Sequence, residues 1–224
     1  MLRSCARLDG GMHGFRQTNP LSVYSPVIAL PGRDKALQKN SETTIYRLDG
    51  MGIDIRTAVP ADAASACALL RRSIEFGCAA DHRDRPGLLD TWLGNKTPEN
   101  VCAWFAAPTN YAIVAEQDCK LLGLALLTQA GKVPLCYVEP DALRIGVGRA
   151  LLAALETQAR TWNIRKLHLH SPQSAAQFFE RHGYTNAGLE KSCFGMESNL
   201  LWKALDIDPA VAAKQGKRFC NCSQ

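Results

Sequence analysis

Three things are missing from this 224-residue chain, and each absence removes a class of protein. There is no Cys-x-x-Cys pair, although nine cysteines are present. Seven stand singly at Cys5, Cys67, Cys78, Cys102, Cys119, Cys136 and Cys193, and Cys220 and Cys222 lie together near the end. An odd number without metal-ligand spacing speaks against a disulfide framework and against a zinc site. It fits a reducing compartment, so a cytoplasmic location and no bound metal are expected. No apolar run approaches the roughly 18 residues that cross a bilayer. The stretch from Leu21 to Leu30 is broken by Pro26, and Asp9 interrupts its approach, so neither a signal peptide nor a membrane partner is expected. Finally, no run of lysine and arginine exists. The net charge of +5 comes from 26 basic and 21 acidic residues scattered along the chain, which suits an anionic small ligand better than nucleic acid.

What is present is enough apolar sequence, 46%, for a sizeable core. Residues 1–50 hold Gly10-Gly11, Pro20, Pro26 and Pro31-Gly32 without a sustained period, and read as a poorly ordered extension. Alternation begins at Met51, a candidate natural start, and residues 51–205 read as one domain. Met51–Ala58 reads as its first strand, and Pro60-Ala61-Asp62 opens a helix running to about Glu75. Helices are predicted over Arg85–Leu93 and from Thr97-Pro98 through Phe105, with Thr97 as cap. Tyr111–Glu116 and Leu121–Thr128 read as a hairpin around Gln117–Lys120. Lys132–Val138 is a further strand, Arg149–Asn163 a helix, and Lys166–His170 a strand. Ser174–His182 follows as a helix, and Tyr184–Leu189 and Met196–Leu205 are the last strands. The polar tail over 206–224 is expected to be mobile, its Cys220-Asn221-Cys222 frayed. No internal repeat is visible.

The most informative segment is Leu143-Arg144-Ile145-Gly146-Val147-Gly148-Arg149-Ala150, which follows Val138-Glu139-Pro140 and opens a helix carrying Leu151, Leu152, Leu155 and Ala159 on one face. Two glycines let the backbone approach a ligand closely. A helix start leaves amide N–H groups without intrahelical partners, which together bind an anionic group such as a pyrophosphate. A dinucleotide-binding βαβ unit is a poor alternative, since its glycine loop belongs near the first strand. Later in the chain, Ala175-Ala176-Gln177-Phe178-Phe179-Glu180-Arg181-His182-Gly183-Tyr184 closes a helix on Gly183, a residue suited to a helix C-terminus.

Together these two segments resemble the acetyl-CoA loop, Arg/Gln-x-x-Gly-x-Gly/Ala, and the closing Ala-x-x-Phe-Tyr-Glu-x-x-Gly-Phe of the GCN5-related N-acetyltransferases. The resemblance covers about residues 53–205 and is more specific in its second half. It implies an α/β (α+β) fold: a central mixed, mostly antiparallel twisted sheet of about six to seven strands flanked by helices. It also implies direct transfer of an acetyl group from acetyl-CoA to an amine, within a complex of both substrates and without metal. A small amine is the first-choice acceptor and a protein N-terminus or lysine the second; a homodimer is a further expectation. Tyr137, Val138, Leu143, Arg144, Gly146, Val147, Gly148, Arg149 and Ala150 fall at the family's cofactor-binding positions. Ser171, which can equally serve a turn, and Phe179 complete that set.

Two positions depart from the family. Leu143 replaces the usual Arg or Gln, with Arg144 next to it, and Phe179 replaces the Tyr often proposed to protonate the departing thiolate. Phenylalanine cannot donate a proton, although a thiol with a pKa of about 8.5 leaves readily as its anion. Water, Tyr184 or His182 are the alternative donors, while Phe178 reads as core. An amine with a pKa of about 10.4 must lose a proton before it attacks. Glu139, beside the loop, is either that base or a solvent-facing residue. Glu75 and His82 are either bases acting through water or surface residues, on a segment with Cys78 and Asp81 that lines the family's acceptor pocket. His168 and His170 read as ordinary strand residues. The oxyanion donor is expected at the backbone of Tyr137 or Val138. The two departures also leave open an acyl-CoA-binding module without catalysis.

Overall fold

The computed structural model describes residues 44–48, 51–83, 85, 87–191 and 197–206. Five strands form one antiparallel sheet in sequence order: β1 (Thr44–Leu48), β2 (Ile53–Thr57), β3 (Asn110–Gln117), β4 (Lys120–Thr128) and β5 (Leu135–Val138). Three more form a second antiparallel sheet, in which β8 (Glu197–Ala204) lies between β6 (Lys166–Ser171) and β7 (Thr185–Lys191). The helices are α1 (Ala63–Arg72), α2 (Ala79–His82), α3 (Leu88–Leu93), α4 (Pro98–Ala106), α5 (Val147–Thr161) and α6 (Gln173–Arg181). An antiparallel sheet flanked by helices is what the family resemblance implies; the division into two sheets is the added detail.

Local chemistry accounts for most elements. The β3–β4 hairpin turns through Asp118 and Cys119, both at positive φ (50° and 62°), as a two-residue turn matching strand twist requires. Thr97 caps α4, its hydroxyl accepting the Asn100 N–H at 3.3 Å. Helix α5 buries Val147, Leu151, Leu152 and Leu155 against the sheet in a core that also holds Leu167, Leu169 and Phe179. Helices α1, α3 and α4 cover a second core built on Leu70, Ile74, Val114 and Leu124.

The sheet starts one strand earlier than the sequence suggests. Thr44–Leu48 pairs antiparallel with β2, inside the stretch read as an extension, so a chain beginning at Met51 would lose an edge strand. Its five residues are too short a run to stand out from their glycine- and proline-rich surroundings. The expectations for residues 1–43, for Met196 and for residues 207–224 lie outside the described residues. Helix α1 also ends differently: Ser73–Gly77 forms a π-helical turn, a widening that sequence does not mark.

The feature that positions the site is the junction of the two sheets. Just before β5 the chain touches β6, with Val133 N–H donating to the His168 carbonyl at 2.9 Å and His168 N–H to the Gly131 carbonyl at 3.0 Å. Beyond this single parallel bridge, β5 stays with β4 while β6 pairs with β8. The two strands therefore splay apart. Gly131 sits at φ +79°, and a Cβ there would lie 2.5 Å from the Lys166 carbonyl oxygen. Replacing Gly131 by valine is expected to cost about 3 kcal/mol of stability, measured by denaturant unfolding. An unchanged unfolding midpoint would show that the junction accommodates a side chain.

Candidate functional site

The splay opens a cleft of about 760 Å³. One wall is β5, through Cys136, Tyr137 and Val138; the other is the end of β6 and α6, through His170, Ser171, Phe178 and Phe179. Ser73, Gly77 and Cys78, carried by the π-helical turn, close one end, and the glycine loop closes another. Glu139 N–H donates to the Leu122 carbonyl at 2.8 Å, so that amide points toward β4. Because successive residues of a strand alternate, the amide of Val138 turns to the open edge and into the cleft.

The loop is built for close approach. Arg144 and Gly146 both take positive φ (67° and 97°), and Gly146 is the residue on which α5 starts. The first intrahelical bond runs from Ala150 N–H to the Gly146 carbonyl at 3.0 Å, leaving the amides of Val147 and Gly148 without intrahelical partners at the positive end of a 15-residue helix. A Cβ on Gly148 would meet the Phe178 ring at 3.2 Å and Val138 Cγ2 at 3.5 Å, so a side chain there would fill the passage between loop and α6.

Most residues expected at the cofactor line this cleft: Tyr137, Val138, Leu143, Arg144, Gly146, Gly148, Arg149, Ser171 and Phe179. Val147 and Ala150 do not; their side chains are buried in the core beneath the loop. Leu143 is half exposed at the rim. The candidate base and acid residues fare differently, and none of Glu139, Glu75, His82 and Tyr184 lines the cleft. Glu139 is buried, not solvent-facing, and accepts from Arg72 Nε at 2.5 Å. Glu75 projects outward, exposed. His82 Nε2 donates to the Ile74 carbonyl at 3.2 Å and the ring packs edge-on against Trp92, holding the π-helical turn in place. Tyr184 lies behind Phe179, edge-on at 5.8 Å, with its hydroxyl buried and without a hydrogen-bond partner among the described residues. Burial, then the nearby Glu156 carboxylate, hold that phenol well above its ordinary range.

Three further residues line the cleft, of which Phe178 and His170 read as ordinary from sequence. Phe178 faces it as well as packing on the core. His182 lines it with Nδ1 donating to the Phe178 carbonyl at 2.7 Å. His170 lines it paired to Glu190 Oε2 at 2.7 Å. Spacing hints at the two phenylalanines; nothing in the sequence marks a partner twenty residues away. Burial pushes the thiols of Cys78 and Cys136 up to about 12, with Asp81 adding to the effect at Cys78. Neither is a ready nucleophile. Burial, with Cys78 nearby, also holds the Tyr137 phenol above its usual range. Among the described residues, no group of three or more His, Cys, Asp and Glu is placed to hold a metal ion. No helix among them is long and apolar enough to cross a membrane.

Residues 83–197, just over half of the 224, match the family described as an acetyltransferase (GNAT) domain. This chain belongs to the GNAT acetyltransferase family. The matched stretch contains the glycine loop, both cleft strands and α6. Solved GNAT structures share the fold. A GCN5-related N-acetyltransferase from Rhodopseudomonas palustris superposes with a TM-score of 0.62 at 24% identity, over 67% of this chain and 94% of that one. The PaiA N-acetyltransferase of Thermoplasma acidophilum, solved in complex with coenzyme A, gives a TM-score of 0.59 at 18% identity, over 69% and 99%. YncA of Salmonella typhimurium, solved with its cofactor acetyl-CoA, gives 0.54 at 22% identity, over 70% and 96%. No curated protein matches the sequence.

Two outcomes follow from side chains in and around this GNAT cleft. At pH 8 on the order of one Cys78 thiol in ten thousand is ionised, so iodoacetamide is expected to label exposed Cys119 at least about a hundredfold faster, as read by peptide mass spectrometry. Equal rates would mean that Cys78 is activated. Arg72→Met is expected to lower the melting temperature more than Glu139→Gln does. The first leaves a buried carboxylate unpaired, whereas the second leaves a neutral amide.

Proposed function

We propose that this GNAT protein transfers an acetyl group from acetyl-CoA to the amine of a small molecule, by direct attack while both substrates are bound. The observation that carries the proposal is the single cleft that joins a helix N-terminus with two unpartnered intrahelical amides to an open strand edge. Phosphates suit the first and a thioester carbonyl suits the second. The cradle fits such a ligand, because Gly148 keeps clear the passage that any side chain would fill. Residues Val147 and Gly148 would hold the pyrophosphate, and the Val138 amide would meet negative charge developing on the carbonyl oxygen. The raised cysteine thiols disfavour a route through an acyl-cysteine, which supports direct attack. With Phe179 buried in the family's tyrosine position, the departing thiolate takes its proton from solvent or His182.

The acceptor is expected to enter from the side of α2. A second pocket of about 370 Å³, lined by Ala80, Asp81, Arg85, Gln173, Ser174 and Glu197, shares Ser174 with the cleft. Its size favours a small amine over a folded protein surface. A non-catalytic acyl-CoA-binding module is the second reading, favoured by the absence of Glu139, Glu75, His82 and Tyr184 from the cleft wall.

The test uses the full chain. Calorimetry is expected to show acetyl-CoA binding that Gly148→Trp weakens at least about tenfold. Chromatography is expected to show CoA release that depends on one or more members of a panel of primary amines and peptides. Binding without release across the panel would favour the second reading. No binding by folded protein would overturn both.

A further inference from the structure

None of the groups first suggested as a base lines the cleft, yet the reaction still needs one. His170 is on the cleft wall, near the end of β6, where β6 has fully parted from β5. Its strand alternates: Leu167, Leu169 and Ser171 are buried on the face covered by α5 and α6, while Lys166, His168 and His170 show on the opposite face. That face is reached from the side of the cleft away from the glycine-loop helix.

The ring is oriented by a partner. His170 Nε2 lies 2.7 Å from Glu190 Oε2 on β7, two strands away across β8. A carboxylate can only accept, so Nε2 carries the hydrogen and Nδ1 keeps its lone pair. An imidazole whose ring is oriented by a carboxylate, with its second nitrogen left able to accept, is an arrangement a general base can use. Other charged or titratable groups on this face are His168 and Lys166 of the same strand, with Lys132 beside His168; β8 contributes the neutral Ser198, Leu200 and Trp202.

Building on the transfer reaction proposed above, we infer that His170 Nδ1 is the general base that takes the proton from the acceptor amine, with Glu190 as its positioning residue. The amine nitrogen bonds to the acetyl carbon, the carbon–sulfur bond breaks, and the sulfur leaves as thiolate. The proton shed by nitrogen goes to His170 Nδ1 and passes from there to solvent.

The experiment measures steady-state kinetics of the full chain with the best amine from the panel, alongside acetyl-CoA affinity and melting temperature. His170→Gln is expected to lower kcat about a hundredfold, to leave the KM for acetyl-CoA within about twofold, and to remove the acid limb of the kcat/KM profile. Glu190→Gln is expected to lower kcat about tenfold while leaving the KM for acetyl-CoA within about twofold, the pattern of a residue that positions the base and not the cofactor. His170→Asn is the second variant should glutamine disturb folding, because position 170 is exposed. A His170 variant with kcat within twofold of wild type overturns the inference. So does a loss of kcat that runs in parallel with loss of acetyl-CoA affinity. If the unaltered protein shows no turnover with any amine, the transfer reaction itself fails, and the base with it.

Discussion

The whole site depends on the place where two neighbouring strands stop being neighbours. At Gly131–Val133 the backbone reaches β6 by two hydrogen bonds to His168, and then β5 and β6 go to different partners. Strand edges left open inside a protein are costly, because each peptide group wants a partner. Here the open edge faces a cleft and not the core, so its amides stay available to a ligand. Gly131 makes this possible by allowing a contact that any side chain would block. Loop, helix α5 and α6 then line the opening that the junction creates.

Charge in and around the cleft follows from burial. The carboxylate nearest the loop, Glu139, is tied to Arg72 and so links the π-helical end of α1 to the turn at Pro140–Ala142. The cysteines of the wall are held as thiols. The cleft surface otherwise offers backbone amide, imidazole, guanidinium, hydroxyl and apolar ring, a set suited to positioning an anionic thioester ligand.

Much of this was legible in the sequence, for identifiable reasons. Helix starts and tight turns have local signatures, so Thr97, the Gly146–Gly148 loop and Gly183 could be placed from their neighbours alone. The order of elements followed from period, and the family resemblance implied which residues would meet the cofactor. What sequence did not carry is direction and distance. Alternation along β5 sets which amide faces the cleft, but whether Glu139 points to solvent or to Arg72 depends on a residue 67 positions away. The π-helical turn that brings Ser73, Gly77 and Cys78 to the cleft leaves no mark in composition. Strand β1 was hidden because five residues give too short a pattern. His170 read as an ordinary strand residue because its partner lies on another strand.

The central claim is that the gap between β5 and β6 is where acetyl-CoA presents its thioester. A crystal structure of the full chain with coenzyme A tests it most directly. The account predicts the pantetheine arm between β5 and β6, its sulfur near the Val138 amide, with the pyrophosphate on the Val147 and Gly148 amides. Coenzyme A bound elsewhere, or β5 and β6 zipped into one continuous sheet beyond Val133, would contradict it.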